Sequence, residues 1–219
     1  MPRMRVRLAR GASWRHLSHP EFVRLLHTAV AQANLPIARG NRAETPYRIV
    51  SGPPLPLGYT SRCEYVDMDI LRPITSHEFK QRLAEVLPEG IAVLWARRIP
   101  PTAPHLRASI AAFCYTIDGQ FDPVHVDRFR TEPSWPYVRK KKDRETLFNL
   151  KEMVSLLEVT EERVRLCLAV SPQGILKPEE VLESVFDIPQ SLCGDFVIER
   201  TDIRFVPIYF PRAFVVEGL

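Results

Sequence analysis

The feature that most constrains the fold is a change of hydrophobic period within the first 35 residues. Residues 4–9, Met-Arg-Val-Arg-Leu-Ala, alternate apolar side chains with arginine, the pattern of a strand with one face buried and the other wet. Beyond a short loop the period becomes helical. Phe22, Val23, Leu25, Leu26, Ala29, Val30 and Ala33 form an apolar stripe that ends at Leu35-Pro36. The helix start is written just before the stripe: Ser18 caps, Pro20 suits a first turn where its missing N–H costs nothing, and Glu21 completes a capping box.

The same grammar repeats once. A short strand at Tyr47–Ser51 leads into Gly-Pro-Pro-Leu-Pro-Leu-Gly, whose rigid turn chemistry suits the connection of a hairpin. The strand that follows, Cys-Glu-Tyr-Val-Asp-Met-Asp-Ile-Leu, sets Glu64, Val66, Met68 and Ile70 against Cys63, Tyr65, Asp67 and Asp69. A second helix begins at Thr75 or Ser76, turns Phe79, Leu83, Val86 and Leu87 inward, and stops at Pro88-Glu89-Gly90. Ile91–Arg98 is a fourth strand. Strand, helix, strand, strand, helix, strand is the ferredoxin-like βαββαβ arrangement, so residues 3–98 are expected to form a four-stranded antiparallel sheet of order 4-1-3-2 with both helices on one face.

Pro100-Pro-Thr-Ala-Pro104 reads as a linker, which sets boundaries of 1–99 for a basic ferredoxin-like domain, 100–109 for the linker and 110–219 for a second half. That second half offers strands at 110–117, 134–140, 163–170 and 195–206 and a helix at 178–187. Only 124–130 is available as its other helix, and 146–159 suits a strand or a short helix equally. The expected fold class is therefore α+β, a ferredoxin-like N-terminal half followed by a degenerate second ferredoxin-like half. Its apolar tail, Val-Pro-Ile-Tyr-Phe-Pro-Arg-Ala-Phe-Val-Val-Glu-Gly-Leu, is expected to dock on the body or on a partner.

The net charge of +4 is unevenly distributed. Residues 1–50 hold nine arginines, no lysine and two acids, a balance of +7, and the remaining 169 residues carry −3. Guanidinium binds phosphate through a planar fork and stacks on bases, so an all-arginine surplus points toward nucleic acid, unless it is a solvated face paired to the acidic remainder. The four cysteines are far apart and belong to no CxxC, so a disulfide framework is not expected and Cys63, Cys114 and Cys167 read as small buried hydrophobes. With no spanning apolar segment and no signal-like start, a cytoplasmic location is expected.

No phosphate-binding glycine loop, nucleophile elbow, zinc motif or cluster-binding cysteine triplet occurs. Asp67 and Asp69 share one side of a strand but have no third ligand beside them, so neither a metal nor a cofactor is expected. Two polar groups remain. Trp14, Arg15, His16 and His19 lie in the loop and cap feeding the first helix, whose N-terminal N–H groups favour an anion. Arg39, Asn41, Arg42, Tyr47 and Arg48 follow that helix, and Arg5 and Arg7 are placed to line the sheet face between the groups. The plainer reading has Ser18 as a cap, His19 as a first-turn residue and Trp14 covering the core edge. Arg139-Lys-Lys-Lys142 reads as a solvated hairpin tip.

Arg15-His-Leu-Ser-His-Pro-Glu-Phe through Leu35-Pro36, then Pro-Pro-Leu-Pro-Leu-Gly58, Glu64–Ile70 and Leu87–Pro100 resemble the radical-SAM-associated (radical-SAM-linked) domain of unknown function. The likeness is close over residues 3–117 and loose over 130–205. The stretch between the first helix and the second strand departs from it, since Gly40–Arg48 lacks the phenylalanine and histidine of that family. The architecture is also similar to that of the RAMP-type RNA-processing proteins of CRISPR systems, which use tandem ferredoxin-like domains.

The resemblance implies a radical SAM enzyme as partner and RNA as ligand. The expected function is a non-catalytic RNA-binding or substrate-presenting accessory, with Arg5, Arg7, Trp14, Arg15, His19, Arg39, Asn41, Arg42, Tyr47 and Arg48 as contacts. Two alternatives stand beside it. One is a metal-independent endoribonuclease using His16 or His19, and the other a protein-interaction module with no nucleic-acid ligand.

Overall fold

In the computed structural model, which describes residues 1–141 and 144–206, the opening alternation becomes β1 (Arg3–Arg10). Met4, Val6 and Leu8 are fully buried, and Arg3, Arg5 and Arg7 lie on the opposite face. The capping box forms as expected at the start of α1 (His19–Gln32), where the Glu21 carboxylate accepts from the Ser18 N–H at 2.8 Å and the Ser18 hydroxyl accepts from the Glu21 N–H. β2 (Ile49–Ser51), β3 (Thr60–Asp69), α2 (Ser76–Val86) and β4 (Ile91–Ile99) complete the first unit. β1 runs antiparallel between β3 and β4, and β2 is antiparallel to β3, giving the order β4-β1-β3-β2. Phe22, Leu26 and Val30 of α1 and Phe79 and Leu83 of α2 share one core with Val66 and Met68.

The second half is an elaborated copy of the first. Its elements are β5 (Ile110–Asp118), α3 (Val124–Thr131), β6 (Pro136–Lys141), β7 (Arg144–Asn149), α4 (Leu150–Met153), β8 (Val154–Thr160), β9 (Arg163–Ser171), β10 (Gly174–Ile175), α5 (Pro178–Phe186) and β11 (Val197–Phe205). β8, β9, β5 and β11 lie side by side, each antiparallel to its neighbour. Strands β5, β8, β9 and β11 with helices α3 and α5 thus repeat the six-element plan and its strand order. The elaboration is the β6–β7 hairpin and the single turn of α4, inserted between α3 and β8. Residues 146–159 prove to be strand, turn and strand: Leu150 and Met153 bury themselves on one helical turn, and the Asn149 side chain caps it.

β3 joins the two units into one sheet. Its first residues pair in parallel with β11, Thr60 with Glu199 and Ser61 with Arg200, and its later residues pair with β2. β2 is three residues long because it shares this edge with β11. Val66 and Met68 face the first core, whereas Cys63 and Tyr65 face a second core built by α3, α5 and β5. The segment expected as a linker packs against the sheet. Arg3 donates to the carbonyls of Pro101, at 3.3 Å, and Ala103, and Leu106 is 1% exposed.

The cysteine expectation needs correction. Cys114 and Cys167 are directly opposed on β5 and β9, with Cα atoms 4.0 Å apart, and form a disulfide, while Cys63 and Cys193 are buried thiols. Fifty-three residues separate the pair in sequence, so spacing gave no sign of a contact that only register creates. Cysteine usage therefore no longer argues for a reducing compartment. Among the described residues no helix is long and apolar enough to cross a membrane. The apolar tail beyond Val206 lies outside the described residues.

Candidate nucleic-acid interface

The seam between the units buries a polar cluster that no local motif announces. Arg10, Glu64 and Arg200 are 1%, 6% and 2% exposed. Arg10 stands out of phase with the other arginines of β1, so it points toward the apolar side with Met4, Val6 and Leu8. Its guanidinium donates to the carbonyls of Trp14, at 2.8 Å, and Leu17, which fixes the loop that enters α1. Arg200 donates to Glu64 Oε1 at 2.5 Å and to the carbonyls of Pro53 and Pro54 at 3.4 and 3.5 Å. Two buried guanidiniums therefore face one buried carboxylate, and each holds a loop that borders the N-terminus of α1.

Above this cluster His19, Ser51 and Arg107 meet. His19 Nε2 lies 3.3 Å from Ser51 Oγ, and Arg107 Nε donates to the Ser51 carbonyl at 3.1 Å. Burial and the neighbouring Arg107, joined by Arg10 and Arg200 against the opposing pull of Glu64, hold the His19 pKa below its ordinary value. At neutral pH the imidazole is accordingly uncharged and sits in a positive field. Such a field favours an anion at the surface marked by Arg107, which is exposed. The end of α1 itself is less available than the bare sequence implies, since Glu21 and Ser18 already cap it from within the chain.

The two groups of residues singled out in the sequence flank α1, one at its start and the other along its later turns, where Tyr47 stacks on His27 with ring centroids 6.0 Å apart. At the start, half-buried Trp14 donates from its indole to the Glu89 carbonyl at 2.7 Å and closes over Gly90, whose φ of +88° and contact with the indole exclude a side chain. Arg15 and His16 are exposed, with Arg15 Nε donating to His16 Nε2 at 3.1 Å. In the later group Arg39 bridges to Tyr47 and lies over its ring, 4.7 Å from the centroid. Arg48 stands 3.8 Å from Asp69, and Asn41 and Arg42 are exposed. β2 carries the chain from Arg48 back to Ser51, and it is Ser51, not an arginine of that loop, that reaches His19.

Arg5 and Arg7 have partners within the fold. Arg5 makes a two-pronged contact with Asp67 at 2.7 and 2.9 Å, and Arg7 donates to the carbonyls of Arg62 and Thr201 and lies 3.4 Å from Asp202. Asp67 also meets Arg3 at 3.6 Å, so this carboxylate answers two guanidiniums. Among the described residues no group of His, Cys, Asp and Glu is placed to hold a metal ion. Arg139 is likewise bound to the buried Glu180 rather than solvated, and Lys140 pairs with Glu145. Lys142 is outside the described residues.

Glu64, Arg107, Arg200 and Ser51 were not recognisable as site residues. Phase alone carried a trace of them, because Glu64 and Arg10 fall on the apolar sides of their strands, where an ionised group requires a partner. Residues 3–178 match the model of a family described as "Uncharacterized protein conserved in bacteria (DUF2344)", and the chain belongs to that family. No curated protein gives a significant match. The matched span runs from β1 to the first residue of α5, so it takes in both units and leaves Arg200 beyond its end.

Proposed function

We propose that this member of the DUF2344 family is a non-catalytic RNA-binding accessory that presents RNA to a radical SAM modification enzyme. The observation that carries the reading is the uncancelled positive charge beneath His19, Ser51 and Arg107. Two buried guanidiniums stand against one carboxylate, with a third guanidinium at the surface. A backbone phosphate at Arg107 would accept from the guanidinium and from the Ser51 hydroxyl. Exposed Arg15, Arg42 and Arg48 extend the basic surface along the first unit, and half-buried Tyr47 offers a ring beside them. The partner follows from the resemblance of residues 3–117 to radical-SAM-linked domains. The iron–sulfur cluster would belong to that partner, since the cysteines here are bonded to each other or buried.

One observation favours a second reading, a RAMP-like endoribonuclease. An imidazole kept neutral beside a guanidinium and a hydroxyl is the pairing that general-base attack at phosphorus requires. A single experiment tests both. The full chain is titrated into labelled single-stranded RNA at several salt concentrations, and the RNA is then run on a denaturing gel. The accessory reading expects salt-sensitive binding, intact RNA, and a log–log slope that flattens by about 0.7 in Arg107→Gln. Cleavage lost in His19→Ala would establish the second reading, and an absence of salt-sensitive binding would overturn both.

A further inference from the structure

The β6–β7 hairpin sets opposite charges against each other on one of its faces and like charges on the other. Directly opposed residues of the two strands share a face, and the faces alternate along each strand. On the outward face Lys140 stands opposite Glu145 and pairs with it at 3.2 Å. The inward face turns toward α5 and carries Tyr137 opposite buried Phe148, Arg139 opposite Thr146, and Lys141 opposite Arg144. Two cations directly opposed in this way destabilise a hairpin, and an anion held between them would relieve the cost. The nearest carboxylate of α5 does not serve. Glu180 is 4% exposed and takes a two-pronged contact from Arg139 at 2.5 Å, while Arg139 also donates to the Ile175 carbonyl at 2.8 Å and lies 4.7 Å from the centroid of the Phe148 ring. Lys141, Arg144 and, across from them, Lys177 are exposed and have no acidic partner among the described residues.

Between this face and α5 lies a cavity of about 550 Å³, within the roughly 300–1,000 Å³ of sites that enclose a small molecule. Lys141 and Lys177 line it together with the Arg139–Glu180 pair, which is locked on every side and forms a rigid wall. Tyr137, Glu183 and Gln190 also line it. Glu183 Oε2 accepts from the Tyr137 hydroxyl at 3.1 Å and from Gln190 Nε2 at 2.7 Å. Burial, with Glu180 and Glu183 nearby, pushes the Tyr137 hydroxyl up to about 12, so it stays protonated and holds Glu183 in place. Glu183 Oε1 and the Gln190 side-chain carbonyl then remain as acceptors that no described residue answers. The cavity thus offers a cluster of cations and, apart from it, acceptors for a hydroxyl.

We infer that this cavity binds a phosphate monoester on a hydroxylated carrier, the chemistry of a sugar phosphate, with the phosphate among Lys141, Arg144 and Lys177 and a hydroxyl of the carrier donating to Glu183 or Gln190. A monoester carries close to two negative charges at neutral pH and a backbone diester only one, so three unanswered cations favour the monoester. The same group occurs on a free sugar phosphate and at the 5′ end of an RNA. The inference does not rest on the RNA reading, because the cavity belongs to the hairpin inserted in the second unit and shares no residue with the surface of His19, Ser51 and Arg107.

The test is calorimetry on the full chain with ribose 5-phosphate, ribose, inorganic phosphate, and one RNA decamer carrying either a 5′-phosphate or a 5′-hydroxyl. Ribose 5-phosphate should bind and ribose should not, and inorganic phosphate should bind about tenfold more weakly because it lacks the hydroxyl contact. Lys177→Gln and Arg144→Gln should each weaken ribose 5-phosphate by about tenfold or more, whereas Lys140→Gln on the outward face should leave it unchanged. Arg144→Glu sets opposite charges across the hairpin, so it should abolish binding while the urea midpoint holds or rises, which separates loss of the site from loss of the fold. A preference for the phosphorylated decamer over its hydroxyl form, lost in Arg144→Glu, would make an RNA end the source. Binding of ribose 5-phosphate with no difference between the decamers would make it a free sugar phosphate, and both results carry the proposal. If ribose 5-phosphate does not bind and the decamers do not differ, or if Lys140→Gln weakens binding as much as Lys177→Gln, the cavity is not a phosphate site and the proposal fails, while salt-sensitive RNA binding through Arg107 stands or falls separately. Equal affinity for inorganic phosphate and ribose 5-phosphate would overturn the role of Glu183 and Gln190.

Discussion

Arg200 on β11 donates to Glu64 on β3 across the seam of the two units, at 2.5 Å and with both side chains almost wholly buried. A charge in this position is not replaceable by a neutral isostere. Glu64→Gln leaves Arg10 and Arg200 buried without an anion, and a loss of about 3–5 kcal/mol in unfolding free energy is expected by urea titration. Replacing Arg163, whose partner Asp118 is also at the surface, should move the midpoint little. If the two variants prove equally mild, the seam is not held by this pair.

The Cys114–Cys167 bridge makes a prediction independent of function. In denaturant without reductant, iodoacetamide should modify Cys63 and Cys193 alone, and prior reduction should expose all four thiols. Closing a loop of 53 residues constrains the unfolded chain, so reduction should lower stability by about 2–4 kcal/mol. Alkylation of all four without reductant would falsify the bridge.

Period and capping were enough to read the first unit, because each of its elements buries a stripe that its own sequence encodes. Ser18 and Glu21 act within one turn of helix, and Met4, Val6 and Leu8 along one strand. The second unit was harder to read for a physical reason. α3 carries few apolar residues and relies on Val126 and Phe129 alone, and the inserted β6–β7 hairpin interrupts the plan at the point where a second strand is expected. The site was less legible still. His19, Ser51, Arg107 and Arg200 come from four separate elements, and register alone brings them together. A surplus of arginine was visible, but not which arginines the fold answers: Arg5 and Arg7 meet Asp67 and Asp202, carboxylates 62 and 195 residues away in sequence.

His27 supplies a pH prediction. It is buried on α1 and stacked on Tyr47, with Arg39 beyond that ring, and its Nδ1 has no partner among the described residues. Burial holds its folded pKa below the ordinary 6.5. The unfolded chain therefore takes up the proton first, and stability that is present above pH 6.5 is lost as the pH falls through and below that value. His27→Met should retain more of its neutral-pH stability at pH 5 than the wild type does, measured as urea midpoints at pH 7.5 and 5. His19 shifts in the same direction and remains in both proteins, so the comparison isolates His27. Equal acid losses would assign the effect elsewhere.

The arginine surplus of residues 1–50 can be tested by position as well as by charge. Binding to single-stranded RNA releases condensed counterions, and each phosphate contact contributes about −0.7 to the log–log dependence of affinity on salt. Arg42 is exposed, and Arg48 has about half of its side chain in solvent despite Asp69 nearby. If both touch phosphate, the double replacement by glutamine should flatten the slope by about 1.4 and weaken all RNA sequences alike. Arg163 and Arg165 on β9 are equally exposed but pair with Asp118 and Glu158 in the other unit. Their replacement should leave the slope nearly unchanged, because charge removed away from the strand releases no counterion. Equal effects from the two pairs would show that RNA responds only to net charge. The basic quarter of the chain would then be a solvated face, and the protein-interaction reading would gain what the RNA reading lost.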